Sequence, residues 1–188
     1  MKKRRSTMMQ VKPEQVSMVD ALVDPWLRVI GRDFAGYRNH CRRVFIFACE
    51  LAEAEGESRQ KFAIAAAYHD LGIWADKTFD YLEPSKRLAR AYLDSTGKAE
   101  WADEIAAMID NHHKVTPWSC KPDWLVEPFR QADWLDVSLG ARNFGLPRRF
   151  ILEIQRRYPN AGFHLTLARL TFKRMKKHPK DPLPMMRW

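Results

Sequence analysis

Apolar residues recur every three or four positions along nearly the whole chain, and no stretch alternates polar and apolar side chains as a half-buried strand does. The pattern predicts helices over about 14–31, 37–55, 58–71, 84–95, 98–113, 128–139, 147–158 and 163–177. Turn formers fall between these segments, among them Gly56, Gly97, Pro117, Pro122, Gly145, Pro159 and Gly162. Pro84, Pro128 and Pro147 suit the first turn of a helix, where a missing N–H costs nothing. Gly72 reads as the terminator of the third helix. No internal repeat is present. The expectation is an all-α fold: a single compact bundle of seven to eight helices spanning 13–177, with a basic flexible arm at 1–12 and a Pro-rich tail at 178–188.

Several helices carry a polar side chain on the face that should be buried. In 37–55 the apolar face Val44, Phe47/Ala48 and Leu51 continues one turn back to His40. In 58–71 the face through Phe62 and Ala65/Ala66 leads to His69, with Asp70 beside it. Trp101, Ile105 and Met108 lead to His112, and Phe129 leads to Asp133. A single inward His is usually a satisfied core residue, but four helices doing this together are harder to explain that way. Burying such groups unpaired costs several kcal/mol. Three imidazoles and two carboxylates meeting in one core would offset that cost best by coordinating a divalent cation.

Charge changes the picture less than its total suggests. The 188 residues hold 32 Lys+Arg against 23 Asp+Glu, a formal net charge of +9. Residues 1–12 carry five bases and no acid, and residues 140–188 carry twelve bases and two acids, so the stretch between them is acidic. Every candidate ligand lies in that acidic stretch, as suits a region that binds a cation. The basic ends admit nucleic-acid binding but do not favour it; the positive charge equally attracts a small anionic substrate. No apolar run approaches the length of a membrane span, and the basic N-terminus lacks the apolar segment of a signal peptide. Cys41, Cys49 and Cys120 form no C-x-x-C unit, which points to reduced thiols and a cytoplasmic location.

The contexts of the inward residues resemble the HD-domain superfamily of metal-dependent phosphohydrolases. His40 lies in Y-R-N-H-C-R-R-V, His69-Asp70 in A-A-Y-H-D-L-G-I and Asp133 in Q-A-D-W-L-D, and the likeness covers about residues 30–140. The resemblance implies a helical bundle in which His40, His69, Asp70 and Asp133 ligate one divalent metal (Mn, Mg, Co, Ni, Fe or Zn). The metal would polarise a phosphoryl oxygen and lower the pKa of a bound water. Two departures matter. Nucleotidase-like members carry a Glu three residues beyond the dipeptide's Asp, where this chain has Ile73. Dinuclear members add two histidines: His112 or His113 matches one, and the other falls at Tyr81. One metal is therefore expected, with a second site through Glu83 or His112 disfavoured.

Beside the metal, the candidate catalytic residues are Asp70, His112, which could contact substrate or donate a proton to the leaving group, and Lys77, which could hold a substrate phosphate. Asp136, one turn from Asp133, is placed to orient a ligand. Trp74 is the aromatic candidate for lining a pocket, while Trp101, Trp124 and Trp134 read as packing. His113 reads as a helix-end cation, and Lys86 and Arg87 as solvent-facing. The expected function is hydrolysis of a small phosphorylated metabolite or nucleotide. The alternatives are an HD-type hydratase or di-iron oxygenase, and a catalytically inactive metal- or nucleic-acid-binding module.

Overall fold

The structure is a computed structural model that describes residues 16–186. The expected arm over 1–12 lies outside the described residues. The elements are α1 (Ser17–Val23), α2 (Leu27–Ile30), α3 (Phe34–Leu51), α4 (Gly56–Tyr68), α5 (Gly72–Ala75), α6 (Leu82–Ser95), α7 (Ala102–Asn111), α8 (Val126–Val137), α9 (Arg148–Arg157) and α10 (Phe163–Lys177). Among the described residues there is no strand, and seven helices have ten or more residues. The fold is all-α, as the periodicity predicts.

α3 is the central helix. It packs against α8, α4 and α1, while α7 closes the bundle against α6 and α8. Its interior side chains Tyr37, Val44, Phe45 and Phe47 are fully buried with Phe62, Ile105, Met108, Phe129 and Leu135 in one continuous core. Two glycines permit the closest approaches. A Cβ on Gly36 would lie 3.0 Å from the Ala161 carbonyl oxygen and 3.1 Å from Phe163 N, so α3 and the start of α10 meet only because it is absent. A Cβ on Gly72 would lie 2.6 Å from Tyr81 O and 2.8 Å from Pro84 Cβ. Gly72 is therefore required for close packing of α5 on α6, and it opens a helical turn instead of serving as a left-handed terminator.

The pattern over 14–31 does not form one helix. Pro25 and Gly31, whose φ is 64°, divide it into α1, α2 and two 3-10 turns. The tail after α10 is not loose throughout: Pro184–Met186 form a 3-10 turn, and Met185 is buried against Ile73 and Tyr81. No helix among the described residues is long and apolar enough to cross a membrane.

Candidate metal centre

The inward-facing residues meet at one point in the bundle. His40 comes from the middle of α3, His69 caps the C-terminus of α4, Asp70 follows it, His112 caps α7, and Asp133 lies in α8. All five are buried. His40 Nε2 is 2.9 Å from His69 Nε2, 3.7 Å from Asp70 Oδ2 and 3.5 Å from Asp133 Oδ1. His69 Nε2 is 3.5 Å from Asp70 Oδ2 and 3.7 Å from Asp133 Oδ1.

Hydrogen bonds fix which ring nitrogen of each histidine faces inward. His69 Nδ1 lies 2.9 Å from the Ala66 carbonyl and His112 Nδ1 lies 2.7 Å from the Ile109 carbonyl; a carbonyl only accepts, so both rings carry hydrogen on Nδ1. His40 Nδ1 donates to Asp136 Oδ2 at 2.7 Å. Burial would raise the Asp136 carboxyl, but Arg43 and His40 hold it down to about 2, so it is ionised and accepts. Burial pushes His69 down to about 3, leaving it neutral at physiological pH.

His40 Nε2 and His69 Nε2 face each other at 2.9 Å, and the His69 nitrogen presents a lone pair there. Asp70 Oδ1, Asp133 Oδ1 and His112 Nε2 are buried without a hydrogen-bond partner. Ligands about 2.1 Å from a common ion stand roughly 3.0–3.4 Å apart across octahedral or tetrahedral edges, close to the separations observed. The donor set fits a divalent metal. Residues that could hold one fall into three overlapping sets: His40, His69 and Asp133; His69, Asp70 and His112; and His112, His113 and Asp133.

The neighbours of this cluster depart from the expectations in several places. His113 is not a helix-end cation. Burial drives its pKa well below the ordinary value, its Nε2 meets the Tyr81 hydroxyl, and its Nδ1 lies 3.7 Å from Asp133 Oδ2. Burial also disfavours a charged His112, yet the Asp70 and Asp133 carboxylates outweigh it and raise its pKa; His112 Nε2 is 3.4 Å from Asp70 Oδ1. Lys77 is not brought into the cluster: it is exposed, in a left-handed turn after α5 (φ 53°). Glu83 is paired with Lys86 in the first turn of α6, away from the cluster. Trp74 packs 4.6 Å from the Tyr37 ring and donates its indole N–H to Asp33, so it serves as packing. Lys86 pairs with Asp110 and Arg87 with Asp76.

Arg43 is the residue that the sequence reading missed. It is buried, binds both oxygens of Asp136 at 2.5 and 2.8 Å, and donates to the Tyr158 carbonyl. A buried Asp136 on the same helix face as Asp133 signals that some cation must face it. Phe163 completes the surroundings by stacking on the His40 ring at 4.1 Å and 18°.

The HD-domain family matches residues 37–156, well over half of the chain. The chain belongs to the HD-domain family. That span contains all five clustered residues, and divalent-metal binding is a property of such domains. No curated protein and no solved structure matches the chain.

Proposed function

We propose that this HD-domain protein is a metal-dependent phosphohydrolase acting on a small phosphorylated metabolite or nucleotide, with His40, His69, Asp70 and Asp133 as the ligands of one divalent cation. The observation that carries this reading is the convergence of two imidazole nitrogens and two carboxylates 2.9–3.7 Å apart, with buried Asp70 and Asp133 oxygens that have no hydrogen-bond partner. Bound there, a divalent cation supplies Lewis acidity toward a phosphoryl oxygen and a nucleophilic water at neutral pH. Asp136, held ionised by Arg43, keeps the His40 proton on Nδ1 and so keeps Nε2 basic. Asp70 turns one oxygen toward His40 and His69 and the other toward His112. His112, the ring whose protonation these carboxylates favour, donates a proton to the leaving-group oxygen. Three unpaired cysteines suit a cytoplasmic setting.

The test is turnover by the full chain, stripped of metal and reloaded separately with Mn, Mg, Co, Ni, Fe or Zn, against a panel of phosphomonoesters and nucleotides. Hydrolysis that disappears in His69→Ala and Asp133→Asn supports the proposal. Stoichiometric metal without turnover of any panel member overturns it.

A second reading, a dinuclear centre with oxidative chemistry, is favoured by the far sides of the same carboxylates. His112 Nε2 faces Asp70 Oδ1, and His113 Nδ1 faces Asp133 Oδ2. Metal analysis separates the two: two irons per chain supports the dinuclear reading, and one ion per chain counts against it.

A further inference from the structure

α10 is apolar on two opposite faces. Its inner face places Phe163, Thr166, Leu167 and Leu170 against the bundle. Its outer face exposes Leu165 (77%), Phe172 (53%) and Met175 (44%), with exposed Ala168 between them. At 100° per residue these four lie within an arc of about 80°, roughly opposite the inner face. The helix contains no acid. Arg169, Lys173 and Lys176 border the outer stripe, and Lys176 Nζ stands 4.6 Å from the centre of the Phe172 ring. Arg169 and Arg174 have carboxylate neighbours in Asp33 and Asp181, whereas Lys173, Lys176 and Lys177 have none among the described residues.

We propose that the outer face of α10 docks the protein on an anionic lipid surface, with Leu165, Phe172 and Met175 entering the acyl boundary and Lys173 and Lys176 meeting lipid phosphates.

Charge and chemistry select this occupant. A second copy of the same face would bring two acid-free cationic helices together. The sequence of residues 1–12, with five bases and no acid, offers that face no complementary charge. A nucleic acid would satisfy the lysines but leave a stripe of Leu, Phe and Met without a function. An anionic bilayer satisfies both halves: the helix, about 22 Å long at 1.5 Å per residue, lies along the surface with its apolar edge down. The docking does not depend on the metal centre.

The experiment is sedimentation of the full chain with neutral phosphatidylcholine vesicles and with vesicles containing about a third phosphatidylglycerol, alongside binding to duplex DNA. Two variants are compared: Leu165→Ser with Phe172→Ser, and Lys173→Gln with Lys176→Gln. All four positions are exposed, and circular dichroism confirms that the variants fold. Binding to the anionic vesicles at least about tenfold above the neutral ones, with each variant losing about tenfold or more, is the expected result. Failure to bind anionic vesicles, equal binding to both vesicle types, or vesicle binding unchanged in the serine variant overturns it. DNA binding that survives the serine substitutions while vesicle binding is absent assigns the face to nucleic acid instead.

Discussion

Asp136 Oδ2 lies 2.7 Å from His40 Nδ1, and the same carboxylate is clamped from its other side by the Arg43 guanidinium. An ionised acid therefore sets the tautomer of a ring whose other nitrogen enters the candidate metal centre. Asp136→Asn removes that charge and leaves Arg43 buried without a counter-ion. Metal affinity is expected to fall about 10–100-fold, read by competition with a chelating dye at a temperature where circular dichroism confirms folding. The fold itself loses on the order of 3–5 kcal/mol in denaturant titration. Unchanged affinity in the folded variant would show that Asp136 only neutralises Arg43.

Asp133 makes the metal-free protein less stable as the pH rises. Burial lifts its carboxyl from 3.8 to about 6 in the folded chain. A raised folded value contributes stability below about pH 4 that is lost as the pH climbs through about 6, on the order of 3 kcal/mol by pH 7. Asp133→Asn is expected to remove this contribution. Without metal, at pH 7.5, the variant should melt above the parent, and with saturating metal the order should reverse. A variant that melts below the parent in chelator as well would falsify this account of the carboxylate.

Gly72→Ala puts a methyl group against Tyr81 O, Pro84 Cβ and Ser85 N, so backbone must move. The displaced segment begins two residues after Asp70. We expect a loss of about 1–3 kcal/mol in denaturant titration together with weaker metal binding. A change in stability with full metal affinity would separate the α5–α6 contact from the centre.

Met185 seals a small apolar cluster with Ile73 and Tyr81. Truncation after Lys177 is expected to cost about 2 kcal/mol and to raise the binding of a hydrophobic dye, since Tyr81 loses its cover. Equal dye fluorescence in the truncated and full chains would count against a closed seat for Met185.

The convergence of His40, His69, Asp70, His112 and Asp133 was readable because helical spacing alone places a polar side chain on an apolar stripe. Arg43 shares that stripe, three residues after His40, but an arginine is ordinarily solvated, and its partner is 93 positions away on another helix, which no local pattern encodes. His113 misled for a related reason: a histidine at a helix end suggests a cation beside the dipole, yet Tyr81, 32 positions upstream, buries it as a neutral ring. Gly72 announced a helix end, but its purpose is set by how closely α6 approaches, which no local pattern encodes. Pro25 is the local signal that breaks the apolar pattern over 14–31, because its ring removes a helical N–H.

The three anchored rings also differ in when they become aimed. His69 and His112 are each held by a carbonyl three residues earlier, within or at the end of their own helices, so their direction exists once α4 and α7 form. His40 takes its direction from a carboxylate 96 positions away and has none until α8 docks on α3. A cation that requires both His40 and His69 is therefore selective for a late step of folding. Its capture reports that the tertiary structure is complete, and helix content alone does not suffice.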